Sequence, residues 1–179
     1  GGKEVDRVTA HVVAVVPKYY PEAFYEQVFD TAFRLNKPDY TDGFEAVWNK
    51  KTGVMAEINV SDYIDTGSSL KIKNYSSAGS GVTVDLTKLL ENRAIKGKTV
   101  TLKIYAKGIR DGSKLYATAS IKIGGIVTKK ENIVALENIW KGIELFRLDI
   151  PENAQKLTLE IAPGLNEEIM IDAFTMTSN

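Results

Sequence analysis

From about Leu70 to the C terminus the apolar side chains recur at every second position, and this period constrains the fold more than any other feature. Val100, Leu102, Ile104 and Ala106 alternate with Thr101, Lys103, Tyr105 and Lys107, and Leu115, Ala117, Ala119, Ile121 and Ile123 alternate with Tyr116, Thr118, Ser120 and Lys122. A strand with one apolar and one wet face belongs to an antiparallel sheet whose one side is solvated. The segment Gly108-Ile109-Arg110-Asp111-Gly112-Ser113 between these runs contains an Asp-Gly step, which predicts a hairpin turn and makes the two strands neighbours. Leu157, Leu159 and Ile161 repeat the alternation, and Ile169 with Ile171 opens a last strand ending in Phe174 and Met176. Shorter runs near 55–60, 70–74, 81–86, 133–136 and 143–150 complete a mainly β chain, an antiparallel β-sandwich of the jelly-roll kind.

Residues 1–40 have a different pattern. Pro21 suits the first turn of a helix, and Tyr25, Val28, Phe29, Ala32 and Phe33 then share one face, opposite Glu22, Glu26, Asp30 and Arg34. The spacing predicts an amphipathic helix over about 21–36, ended before Pro38. Its aromatic face predicts packing on the sandwich, on a second copy of the chain or on a neighbouring module. Upstream, Val5, Val8, Val12 and Val15 fit a helical stripe, whereas Val8, Ala10, Val12, Ala14 and Val16 fit a strand, which the β-branched content favours. The expected organisation is an N-terminal helical extension, 1–40, followed by a β-sandwich domain, 41–179.

The 179 residues carry 23 basic and 23 acidic side chains, a balance that offers no general attraction for nucleic acid. No apolar run approaches the roughly 20 residues of a spanning helix, so membrane insertion is not expected. The chain has no cysteine, which removes disulfides, thiolate metal sites and thiol nucleophiles. The leading Gly1-Gly2 reads as an expression remnant, so the lack of a targeting signal carries no information.

Several local patterns fall in the order found in one family. Asp42-Gly43-Phe44-Glu45 with Trp48 comes first, then Gly67-Ser68-Ser69-Leu70-Lys71-Ile72. Val84-Asp85-Leu86-Thr87 and Gly97-Lys98-Thr99-Val100-Thr101-Leu102 follow, and Trp140, Ile150-Pro151, Leu157-Thr158-Leu159 and Ile169-Met170-Ile171-Asp172 close the series. Over about residues 41–177 this order resembles carbohydrate-binding modules of the family 4, 9 and 22 type. Such domains occur on glycan-degrading enzymes, cell-surface proteins and phage tail proteins. The resemblance implies an extracellular, cell-surface or virion setting and a poly- or oligosaccharide partner. It also implies a structural calcium ion where the opening and closing strands meet, with Glu45 and Asp172 at the positions that supply oxygen ligands. The second acid usual in the closing motif is replaced by Ala173.

Sugar rings present apolar faces edged by hydroxyls, so a binding site combines an aromatic platform with polar neighbours. Tyr105 and Tyr116, on the wet phase of their strands, form such a platform if the hairpin is tight, with Lys103 and Lys107 beside them. The bland alternative is a solvated sheet face, or one covered by the N-terminal helix. Trp48 and Trp140 are large enough to stack on a sugar and also large enough to plug the ends of a sandwich. The loop 74–81 is either a site rim or a plain turn.

Catalytic chemistry has little support. His11 is the only histidine, which rules out a multi-histidine metal site, and neither a phosphate loop nor a dinucleotide fingerprint is present. The expectation is a non-catalytic glycan-binding module that works by stacking and hydrogen bonding. The competing reading is an assembly module, a phage tail or cell-surface component, that works through protein contacts of the N-terminal helix; the two readings coexist in a trimeric adhesin.

Overall fold

The structure is a computed structural model and describes residues 23–41, 44–65, 67–77, 79–91 and 95–178, without the side chains of 39–41, 44 and 45. His11 and the ambiguous valine-rich segment 5–16 therefore lie outside the described residues. Two antiparallel sheets face each other. Sheet A runs β10 (Lys141–Asp149), β7 (Thr99–Gly108), β12 (Glu168–Ser178), β5 (Ser69–Asn74) and β4 (Val54–Asn59), with β1 (Tyr25–Gln27) also paired to β12. Sheet B runs β2 (Pro38–Thr41), β3 (Phe44–Lys50), β6 (Val82–Asp85), β11 (Lys156–Pro163), β8 (Lys114–Ile123) and β9 (Ile126–Ala135). The apolar phase of each strand meets its counterpart between the sheets: Leu102, Ile104, Ile72 and Ile171 from sheet A, Leu115, Ala117, Leu159 and Val84 from sheet B. This is the β-sandwich that the alternation predicts.

Two expectations are corrected. Residues 21–36 do not form a helix in their described part. Tyr25–Gln27 add a strand to β12 in the register Tyr25↔Met176, and a turn follows in which Asp30 accepts the Ala32 and Phe33 N–H groups. The aromatics that suggested one helical face do share a surroundings, but it is the sandwich core. Tyr25, Phe29 and Phe33 are buried there, with Phe29 and Phe33 edge-on to Trp48 and Tyr25 edge-on to Phe174. A segment rich in aromatic and β-branched residues gains little from helix propensity. Here it finds its backbone partners on β12, whose pairing with β5 stops at Ile171. The core thus begins well before residue 41, and the aromatic side chains offered as a protein interface are consumed within the chain.

The second correction concerns β7 and β8, which belong to different sheets. The connection 109–113 crosses from sheet A to sheet B and is tied to the segment after β9, through Gly108 N–H to the Glu137 carbonyl at 2.9 Å and Leu136 N–H to the Ser113 carbonyl at 2.7 Å. Gly108 is required by crowding, since a Cβ there would lie 2.7 Å from Ser113 Cβ. The tight hairpin is instead β8–β9, closed by Gly124-Gly125 with Gly124 at φ 59°, the left-handed conformation that a two-residue turn demands.

Candidate glycan-binding face

Strand pairing sets the outward side chains of sheet A in ranks, because residues directly opposite one another share a face. Lys107 stands opposite Met170, which stands opposite Lys71, then Glu57; Glu168, Lys73 and Met55 form another rank; and Tyr105 stands opposite Asp172, as Ser69 does opposite Asn59. In the loop between β4 and β5, residues 60–65 lie across part of this face. Its Asp62 accepts the Trp140 indole N–H on Oδ1 at 2.9 Å and the Lys107 ammonium on Oδ2 at 2.5 Å. Burial pushes the Asp62 carboxyl up, but the bonds from Lys107 and Trp140 together with the Lys107 charge outweigh it and hold the group below its usual range.

Asp172 anchors the same loop from beneath. It is fully buried, and its Oδ2 accepts the N–H groups of Ile64 at 3.1 Å and Asp65 at 2.9 Å. Its Oδ1 takes the N–H of Ala173 at 2.9 Å. Burial raises its pKa to about 6 in spite of those three donors. The strand bulges immediately afterwards: Asp172 pairs with Tyr105 but Thr175 pairs with Lys103, and Ala173 takes φ 49°. Three of the four lone-pair directions of this carboxylate are occupied. Among the described residues no group of three or more His, Cys, Asp and Glu side chains stands ready to hold a metal, and the Glu45 side chain lies outside them.

Beyond the loop the face stays open as a shallow groove of about 110 Å³ lined by Met55, Glu57, Lys71, Lys73, Tyr75 and Glu168. Lys73 Nζ lies 5.0 Å from the centre of the Tyr75 ring, and Lys71 pairs with Glu168 at 3.9 Å. Tyr75 is 50% exposed, and Tyr63, in the covering loop, is 47% exposed. The groove thus combines an aromatic ring with carboxylates and ammonium groups at its edges.

Of the residues singled out in the sequence, Tyr105, Lys103 and Lys107 stand on β7 in the outward phase of sheet A, and Trp140 is brought to Lys107 by Asp62. Tyr116 is on β8 and faces out of sheet B, so the two tyrosines lie on opposite sides of the sandwich and form no common platform. Trp48 is 1% exposed at the centre of the aromatic cluster, its indole N–H donated to the Tyr25 hydroxyl at 3.2 Å. Lys71, Lys73 and Glu57 were legible as outward positions of alternating strands. Asp62 and Tyr63 carry no sequence signal, since nothing local tells a loop which strand it will cross.

Comparison with solved structures places this architecture. The second family 22 carbohydrate-binding module of Paenibacillus barcinonensis Xyn10C, a xylan-binding domain, superposes with a TM-score of 0.63 at 14% identity, covering 88% of this chain and 100% of that one. The C-terminal family 22 module of Clostridium thermocellum Xyn10B matches with a TM-score of 0.63, 14% identity, and coverage of 88% and 93%. The chain has the fold of a carbohydrate-binding module. A further likeness, TM-score 0.51 at 11% identity, is to bacteriophage CBA120 tailspike protein 4, over 75% of this chain and 19% of that one. No protein-family model matches the sequence, and no curated protein matches it. The open groove on the outer face of sheet A is lined by Tyr75 together with Lys71, Lys73, Glu57 and Glu168.

Proposed function

We propose that the chain is a non-catalytic module that binds polysaccharide on the outer face of sheet A. The observation that carries this reading is the groove lined by Tyr75, Lys71, Lys73, Glu57 and Glu168, beside the Asp62–Lys107–Trp140 cluster. Ring stacking and edge hydrogen bonds are what a pyranose chain requires, and neither needs a reactive group. The fold neighbours include xylan-binding modules, which makes xylan the first ligand to try. A polysaccharide ligand of this kind is met outside the cell or at a virion surface, and there the module is proposed to work. No helix among the described residues is long and apolar enough to cross a membrane. The assembly reading loses its support, because Tyr25, Phe29 and Phe33 are buried in the chain's own core. This reading does not require the calcium ion implied at Glu45 and Asp172; Asp172 accepts three backbone N–H groups.

Isothermal titration against soluble xylan, β-glucan and galactomannan tests the proposal. Saturable binding to one of them, abolished together with the groove by Tyr75→Ala and Lys73→Ala in folded protein, is the expected result. Binding that survives both substitutions and Trp140→Ala overturns the placement on sheet A, and no binding to any glycan overturns the function.

A further inference from the structure

Sheet B ends at β9, whose far edge has no strand beside it among the described residues. The hairpin closed by Gly124-Gly125 makes Ile123 and Ile126 a hydrogen-bonded pair. Every second residue from Ile126 onward therefore spends its backbone groups on β8. Val127, Lys129, Glu131 and Ile133 direct theirs outward, and no backbone partner for them is found among the described residues. Their side chains lie on the outer face of sheet B, opposite Lys122, Ser120, Thr118 and Tyr116, with Val127 51% and Ile133 57% exposed. The nearby edge of sheet A is treated differently. Lys130 Nζ and Asn132 Nδ2 each donate at 3.0 Å to carbonyls of β10, those of Arg147 and Leu145, so β10 is capped by side chains of β9, while the far edge of β9 has no such cap among the described residues.

We propose that β9 recognises a second copy of this chain, the two β9 strands pairing antiparallel about a two-fold axis that passes through Lys130 perpendicular to sheet B. Such an axis keeps the outer faces of both sheets on one side, so outward residues meet outward residues. With Lys130 on the axis, Lys129 comes opposite Glu131 of the second copy and Val127 opposite Ile133 of the second copy, and symmetry repeats both contacts. Moving the axis to Lys129 sets that lysine against itself, and moving it to Glu131 sets the glutamate against itself. Charge complementarity therefore selects one register, and the apolar pair falls into place with it. The Lys130 ammonium, on the axis, is drawn away by the Arg147 carbonyl. The geometry leaves the two sheet A faces pointing the same way. If the proposed glycan function holds, both then address one polymer, and the pairing raises avidity.

Sedimentation equilibrium of the full chain, read without any glycan, is the test, and it succeeds or fails independently of the binding function. A monomer–dimer equilibrium is expected. Lys129→Glu weakens it on the order of tenfold, and Lys129→Glu combined with Glu131→Lys restores it. These are exposed side chains, so each variant is expected to keep the circular dichroism of the parent. The absence of native cysteine permits a second reading of the register. Lys130→Cys oxidises to a disulfide-linked dimer, because residues facing each other across a non-hydrogen-bonded position lie about 4.5 Å apart at Cα. Lys129→Cys does not. A chain that stays monomeric up to about millimolar concentration, a dimer indifferent to the charge reversal, or equal cross-linking of the two cysteine variants overturns the proposal.

Discussion

The Trp140 indole N–H and the Lys107 ammonium meet on the two oxygens of one carboxylate, that of Asp62, at 2.9 Å and 2.5 Å. A loop residue thereby holds a tryptophan and a strand lysine together on the open face of sheet A. Trp140→Ala is expected to lower glycan affinity about tenfold, the scale of one lost aromatic contact. Asp62→Asn keeps the ring, loses the Lys107 charge pair and is expected to cost less; calorimetric titration of both variants decides. Because the folded Asp62 pKa is depressed, its stabilising contribution is present above the ordinary carboxylate range and is lost as pH falls through the lower folded value. Trp140 fluorescence followed through an acid titration reports that loss, and it should be absent in Asp62→Asn.

Tyr105 and Tyr116 separate the two faces. Tyr105→Ala is expected to weaken polysaccharide binding several-fold, whereas Tyr116→Ala, on sheet B, leaves it unchanged. Affinity electrophoresis in gels containing the polysaccharide compares them directly. Equal retardation of both variants relative to the parent would show that sheet A is the wrong face.

Trp48 is a core residue, packed edge-on against Phe29, Phe33 and Phe174. Trp48→Ala is expected to cost about 3–5 kcal/mol and to leave the buried Tyr25 hydroxyl without its indole donor. Urea denaturation reads this as a lower midpoint. For the same reason, removing residues 1–34 takes Tyr25, Phe29 and Phe33 out of the core and is expected to abolish cooperative unfolding, where removal of a separable extension would leave the sandwich intact.

Asp172 makes stability depend on pH in the opposite sense from Asp62. Its folded pKa of about 6 lies above the ordinary 3.8, so the fold takes up the proton more readily than the unfolded chain. The contribution is complete below about pH 4 and is lost as pH rises through about 6. Denaturation midpoints at pH 4.5 and pH 7 should fall across that interval for the parent chain more steeply than for Asp172→Asn. Chelation of divalent ions is expected to leave both midpoints where they are, and a drop on adding EDTA would place a metal at Asp172.

Alternation of apolar and polar residues determined the strands, their buried phases and the two-layer architecture, because a period of two leaves one side of each strand for a core. It also marked Lys103, Tyr105 and Lys107 as outward. What the alternation does not contain is which strand lies beside which. The Asp111-Gly112 step has the chemistry of a hairpin, yet hydrogen bonds to Leu136 and Glu137, far along the chain, turn the connection across the sandwich and carry Tyr116 to the opposite face. Likewise the four-residue spacing of Tyr25, Phe29 and Phe33 satisfies a helix as well as it satisfies an extended segment and turn. Only the free edge of β12 beyond Ile171 and the aromatic hollow around Trp48 decide between them. Asp62 lay furthest from reach of the sequence, for its partners Lys107 and Trp140 are brought to it by tertiary packing alone. Local periodicity is written residue by residue, whereas sheet order and loop paths follow from the burial and hydrogen bonding of the whole chain at once.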